Sequence, residues 1–219
     1  KGKPRPKRVT PAADAKLTSE VHKSMTDHNV TLPKIVISWL SPAQYAAGDA
    51  ELDLLASILT SGKASRLYKA LVYDKKIAQT VSAYQSSKTL QSNFNVEAIA
   101  RPGVTLDDLQ KAIDELIDKV RSELCDGREL QRAKNDYEMS FVSRMQSVST
   151  RASLLNGYFA AHGTPDWADK DLARYTATTA LDIQRVAKRY LDPRARVVLH
   201  ILPIQKGQPI QKPTQTDTK

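Results

Sequence analysis

The chain has 219 residues, 41% hydrophobic and 26% charged, a globular composition with material for one good core or two small ones. No apolar run approaches the roughly 18 residues that a membrane-spanning helix needs. The net charge of +9 suggests a nucleic-acid partner, but residues 1–16 hold +5 of it and residues 204–219 hold +2. The remaining +2 does not supply the basic face that a nucleic-acid binder presents, so the reading here is no nucleic acid.

In chain order, "KGKPRPKRVTP" reads as a basic linker, with neither an initiator Met nor a signal-peptide pattern. Residues 17–27 carry a weak strand signal, and "LPKIVISWLS", 32–41, a stronger one that ends at Ser41-Pro42. Asp49 is expected to cap a helix carrying Leu52, Leu55, Ala56 and Leu59 at helical spacing. Ser61-Gly62 stops it, because glycine readily takes the left-handed conformation at a helix end. A second helix is predicted from about Ser65 to Asp74.

Two strands follow, 78–87 and 90–100, and their polar connection suggests an antiparallel hairpin. In the second, Phe94, Val96, Ala98 and Ala100 alternate with mostly polar neighbours, the pattern of a strand with one face on a core. From Thr105 the period becomes helical: Thr105 and Asp108 resemble a capping box before Ile113, Leu116, Ile117, Val120 and Leu124. Gly127 breaks that stripe, and a long helix through Leu130, Tyr137 and Phe141 is followed by a shorter one over 151–163. Thr179 and Asp182 cap a last helix, and "RVVLHILP", 196–203, is a final strand.

This order predicts an α+β fold, an antiparallel or mixed β-sheet with a helical layer on one face. The expected organisation is a basic linker over 1–16, one α+β domain over 17–203 and a disordered linker or tail over 204–219.

The chemistry suggested by individual residues is sparse. "SGKAS", 61–65, lacks the P-loop spacing: Ser57 stands where the first glycine belongs, and Ala64 follows Lys63 where a hydroxyl would hold magnesium. His22, His28, His162 and His200 form no His-Glu-x-x-His or His-x-x-Glu-His arrangement for zinc, although distant histidines can still meet in space. Cys125 lacks a Cys-x-x-Cys context and reads as a partly buried, unreactive thiol. Asp107/Asp108 and Asp169/Asp171 stand at helix starts, where carboxylates favour the positive end of the dipole. Tyr68 and Tyr73 with Lys69, Lys75 and Lys76 could hold an anionic ligand or simply form a solvated helix face.

Five stretches carry a resemblance to a known family. They are "LPKIVISWLSP", "ELDLLASILTSGKASRLYKALVYDKKIAQTVSAYQS", "FNVEAIARPG", "ELQRAKNDYEMSFVSRMQSVSTRASLLNGY" and "DIQRVAKRYLDPRARVVLHILP". Over nearly all of 17–203 the chain resembles the pitrilysin/insulinase zinc peptidases, which include the mitochondrial processing peptidases.

The resemblance implies a pitrilysin-like α+β sandwich of the non-zinc, C-terminal type. Such a domain shapes a chamber that encloses a peptide, and it supports a zinc-bearing domain absent from this chain. It implies a zinc metalloendopeptidase as the parent protein, with zinc held in another domain, and no catalytic or metal-binding residue here. The partners implied are the zinc-bearing domain, a second half and a peptide substrate. Bacterial members are often exported, which favours the periplasm or cell envelope.

In the family's non-zinc half an Arg and a later Tyr reach the substrate. Their register falls here on Val72 and Gln79, neither of which has the required donor. That favours the second domain of a zinc-bearing half. Gly62, Arg66 and Leu67 match the family motif and are expected to be structural. The alternative is a scaffold or interaction subunit from a catalytically inactive member.

Overall fold

A computed structural model describes residues 16–204 and the pair Thr214–Gln215. Residues 1–15, most of the expected basic linker, lie outside the described residues. So does most of the expected tail, which nevertheless contributes the two-residue strand Thr214–Gln215.

The strands are β1 (Val21–Asp27), β2 (Lys34–Ser41), β3 (Ala78–Ser86), β4 (Ser92–Ala100), β5 (Arg196–Pro203) and β6 (Thr214–Gln215). They form one mixed sheet in the order β3-β4-β2-β5-β1-β6. The pairs β3/β4, β4/β2, β2/β5 and β1/β6 are antiparallel, and only β1 and β5 run parallel. The helices are α1 (Asp49–Thr60), α2 (Leu106–Ser122), α3 (Gly127–Gln146), α4 (Val148–His162), α5 (Ala168–Thr176) and α6 (Ala180–Tyr190).

Alternation places the core on one face of the sheet. Ile35, Ile37 and Trp39 of β2 and Phe94, Val96 and Ala98 of β4 are at most 1% exposed, while their β2 neighbours remain half-buried. Leu109, Ile113 and Ile117 of α2 and Ile183, Val186 and Ala187 of α6 supply the facing stripe. Fully burying each large aliphatic side chain contributes about 1.5–3 kcal/mol. Trp39 also donates its indole N–H to the Asp192 carbonyl at 3.0 Å, fixing the end of α6 over the sheet.

The helical layer is two deep at one end. α1 packs on β3 and α6 on one side and on α3 and α5 on the other. That sandwich explains why Leu52, Leu54, Leu55, Ile58 and Leu59 are all buried, more of its circumference than the stripe of an amphipathic helix.

Local signals hold at most ends. Thr105 Oγ1 accepts from Asp108 N–H at 3.1 Å, and Thr179 and Asp182 form a reciprocal box at the start of α6. Three expectations are corrected. The cap of α1 is Gly48, at φ +98°, and Asp49 is turned inward to buried partners. Gly127 begins α3, behind the cap Asp126, instead of separating two helices. A further helix, α5, lies between α4 and α6; its nine residues are too charged to give an apolar period.

Candidate functional site

The stretch from Gly62 to Val81 is built around its connections. Gly62 sits at φ +77° in the turn after α1, and a Cβ there would meet nothing within 4 Å, so glycine serves the backbone angle and not space. Ser65 closes the turn, its hydroxyl donating to the Gly62 carbonyl at 2.6 Å. Arg66 then grips Glu129 with two nitrogens, Nε at 3.1 Å and Nη2 at 2.7 Å. Glu129 also accepts from Asp126 N–H in the capping box of α3, so Arg66 ties the turn to that helix start. Burial alone would raise the Glu129 carboxyl, but the Arg66 and Asp126 hydrogen bonds outweigh it and hold the group below its ordinary value. Leu67 is fully buried beside them.

The expected helix to Asp74 forms, but from Tyr68 to Asp74 it is a π-helix, wound wider than an α-helix. Its end is the Lys75 N–H to Ala70 carbonyl bond at 2.9 Å, followed by Lys76 at φ +54°. Val72 rests against the core, whereas Gln79 is exposed on an irregularity where the β3/β4 register skips from Ala78 to Thr80. The lysines do not converge on a ligand: Lys69 pairs with Asp74 at 2.8 Å and Lys75 with Glu115 at 3.1 Å. Tyr73 is 73% exposed and Tyr68 is partly buried.

Two of the four histidines meet. His22 and His200 stand edge to face with ring centres 6.2 Å apart, and His22 Nε2 lies 3.0 Å from Glu20. Burial holds the His200 imidazole below its ordinary value, with a minor contribution from His22, against the opposing charge of Asp107. His162 is elsewhere, stacked on Trp167 at 3.8 Å. Among the described residues no group of three or more His, Cys, Asp or Glu side chains could hold a metal ion, so the donor set present does not fit zinc. The Cys125 thiol is buried, and that burial pushes its pKa up, away from the reactive thiolate.

A polar network lies beneath α4 and α5 that the sequence analysis missed. Asp49, 2% exposed, accepts from Tyr45 N–H at 2.8 Å, Arg174 Nη2 at 2.7 Å, Ser87 Oγ at 3.0 Å and the Gln85 amide. Arg174 also reaches Asp171 at 2.8 Å, and Asp171 accepts from Tyr158 OH at 2.7 Å. Tyr175 OH donates to Asp53 at 2.8 Å, and burial pushes that carboxyl up to about 6. The partners are up to 125 residues apart in the chain, so no local pattern announces them. They join α1, α4, α5 and the end of β3 into one body.

The face of the sheet away from the core is the other continuous feature. Register aligns Val36 with Glu97 and Leu199, Ser38 with Asn95 and Val197, and Lys34 with Ile99 and Ile201. Apart from the buried Asn95, these side chains are half-buried, and none of the described helices lies over them. Glu97 takes up the only cation among them, Lys34, and also accepts from Tyr84 OH. Ser38 donates to Asn95 at 2.6 Å. The result is an aliphatic surface with few free charges.

The family model for the peptidase M16 inactive domain matches residues 1–137. A zinc protease of Helicobacter pylori, PqqE, is 26% identical over 200 residues, which cover 91% of this chain and 44% of that protein. The chain thus spans under half the length of that curated relative. A crystal structure of a protease from Helicobacter pylori superposes with a TM-score of 0.80 at 21% identity, covering 91% of this chain and 48% of that one. The periplasmic protease PqqL of Escherichia coli gives 0.66 at 14% identity, over 85% and 21%. Fold and family model agree with the resemblance in the sequence: this chain belongs to the family of peptidase M16 inactive domains.

Proposed function

We propose that this chain is the non-catalytic domain of a zinc metalloendopeptidase and forms part of the wall of a chamber that encloses a peptide. The observation that carries this is the open face of the sheet. Across β2, β4 and β5 it offers an aliphatic surface on which Lys34 and Glu97 neutralise each other, suited to contact with unfolded chain of varied sequence. Zinc, and the general base acting on zinc-activated water, would belong to another domain of the same or a partner polypeptide. The residues here would bound the chamber and hold its wall rigid.

On this reading the domain is 17–203 with linkers on either side, and Gly62, Arg66 and Leu67 are structural: a turn, a tie to α3 and a core side chain. Val72 and Gln79 take no part in gripping substrate, one packed inward and the other a neutral amide. The periplasm or cell envelope is the proposed location, in keeping with the periplasmic relative.

Two measurements on the chain test this. Metal analysis after zinc loading is expected to find no stoichiometric zinc, and a casein-derived peptide mixture is expected to remain uncleaved. Chelator-sensitive cleavage would overturn the assignment. Titration of the isotope-labelled chain with an unfolded peptide is expected to shift resonances of Val36, Leu199 and Ile201 and to spare Leu181 on the helical side. Shifts confined to the helical side would remove the chamber-wall reading.

A further inference from the structure

At one end of the open face lies a cavity of about 580 Å³, of the size that small ligands occupy. Leu40, Ser41 and Pro42 at the end of β2 form one side, Leu90 another, and Arg189 with Tyr190 at the end of α6 a third. Lys16 and Leu17 line it too, and with Leu40 they also line a second cavity of about 230 Å³ over Ser38, Asn93 and Val197. The first cavity is therefore continuous in direction with the open sheet face.

Three features point to its ligand. Ser41 is 3% exposed, and its hydroxyl finds no hydrogen-bond partner among the described residues. Buried hydroxyls are seldom left so, and a bound acceptor would satisfy it. Arg189, stacked on the Tyr190 ring at 5.2 Å, and Lys16 make no ion pair among the described residues. The carboxylate that also lines the cavity, Asp192, is already taken by Arg194 at 2.9 Å. The carbonyl end of α6 disfavours an anion, but it amounts to about half a charge set against two cations that have no ion pair among the described residues. Beside these polar groups, Leu40, Pro42 and Leu90 offer an apolar wall.

We propose that this cavity holds the C-terminal carboxylate of a peptide, between Arg189 and Lys16 and hydrogen-bonded by Ser41, with the last side chain against Leu40 and Leu90. The preceding residues run past Leu17 onto the open sheet face. A free chain end would thereby be anchored while the body of the peptide lies along the wall. This deepens the chamber-wall reading and rests on it for its place in the parent enzyme. The binding itself is a property of this chain.

The test is fluorescence anisotropy with a labelled six-residue peptide ending in leucine, as the free acid and as the C-terminal amide. The acid is expected to bind at least tenfold more tightly. Arg189→Gln is expected to weaken the acid to the level of the amide and to leave the amide unchanged, and Lys16→Gln to act in the same direction. Both side chains are exposed, so the variants should melt with the parent. Ser41→Ala is expected to cost the acid several-fold. Equal affinity for acid and amide, or an unchanged acid affinity in Arg189→Gln, overturns the proposal. If peptide then still shifts Val36 and Leu199, the wall reading survives alone; if it shifts neither region, both fall.

Discussion

Replacing Arg174 by methionine removes the cation shared by two buried carboxylates. Arg174 contacts Asp49 at 2.7 Å and Asp171 at 2.8 Å, and those two residues are 2% and 5% exposed. At charge separations near 4 Å and an effective dielectric of about 20, each pair is worth ~4 kcal/mol gross. Desolvating the guanidinium offsets several kcal/mol of that, and losing one partner of a buried pair costs about 3–5 kcal/mol net.

The lower figure is expected here. Asp49 keeps the Tyr45 N–H, Ser87 and Gln85, and Asp171 keeps Tyr158. A loss of ~3 kcal/mol lowers the melting temperature of a chain this size by about 6–12 °C. Urea unfolding followed by circular dichroism measures it, with Arg174→Lys falling between parent and Met. A deficit under about 1 kcal/mol would refute the network as the tie between α5 and α1.

The same network gives an opposite effect at Asp53. Its carboxyl is raised to about 6 from an ordinary 3.8 by burial, so ionisation penalises the folded state above pH 6 and not below pH 4. At 1.36 kcal/mol per pKa unit the ceiling is about 3 kcal/mol. Asp53→Asn keeps an acceptor for Tyr175 and should stabilise by about 1–3 kcal/mol at pH 8 and by nothing at pH 4, read from denaturation midpoints. The two left-handed glycines near α1 should separate by their surroundings. Gly62→Ala meets only backbone strain, about 1–2 kcal/mol, whereas Gly48→Ala also drives its Cβ to 3.0 Å from Tyr190 and should cost at least ~1 kcal/mol more in a thermal melt. Equal losses would show that the Tyr190 ring yields freely.

Elements set by neighbours in the chain were legible before the structure. β2 and β4 alternate strictly enough to declare their buried face, and α2 and α6 carry both an apolar stripe and a hydroxyl cap with an aspartate three residues on. The motif around Gly62 and Arg66 was visible for the same reason, although its winding was not. A π-helix differs from an α-helix by its hydrogen-bond register, which the spacing of apolar side chains over seven residues does not resolve. Only the acidic pair Asp169/Asp171 marked the start of α5; its nine residues show no apolar period and are held by Arg174 reaching Asp49 across 125 positions.

The amino-acid sequence by itself determined the α+β class, the family and the absence of a zinc motif, because periodicity, caps and motif spacing are properties of short stretches. Tertiary structure alone decided the rest. It paired β1 with β5 in parallel across the length of the chain, drew Asp49 from an expected cap into a buried network, and left one face of the sheet uncovered by any described helix. Those outcomes depend on which distant groups can satisfy one another once water is excluded. A buried carboxylate takes the donors that the completed fold brings to it, wherever in the sequence they began.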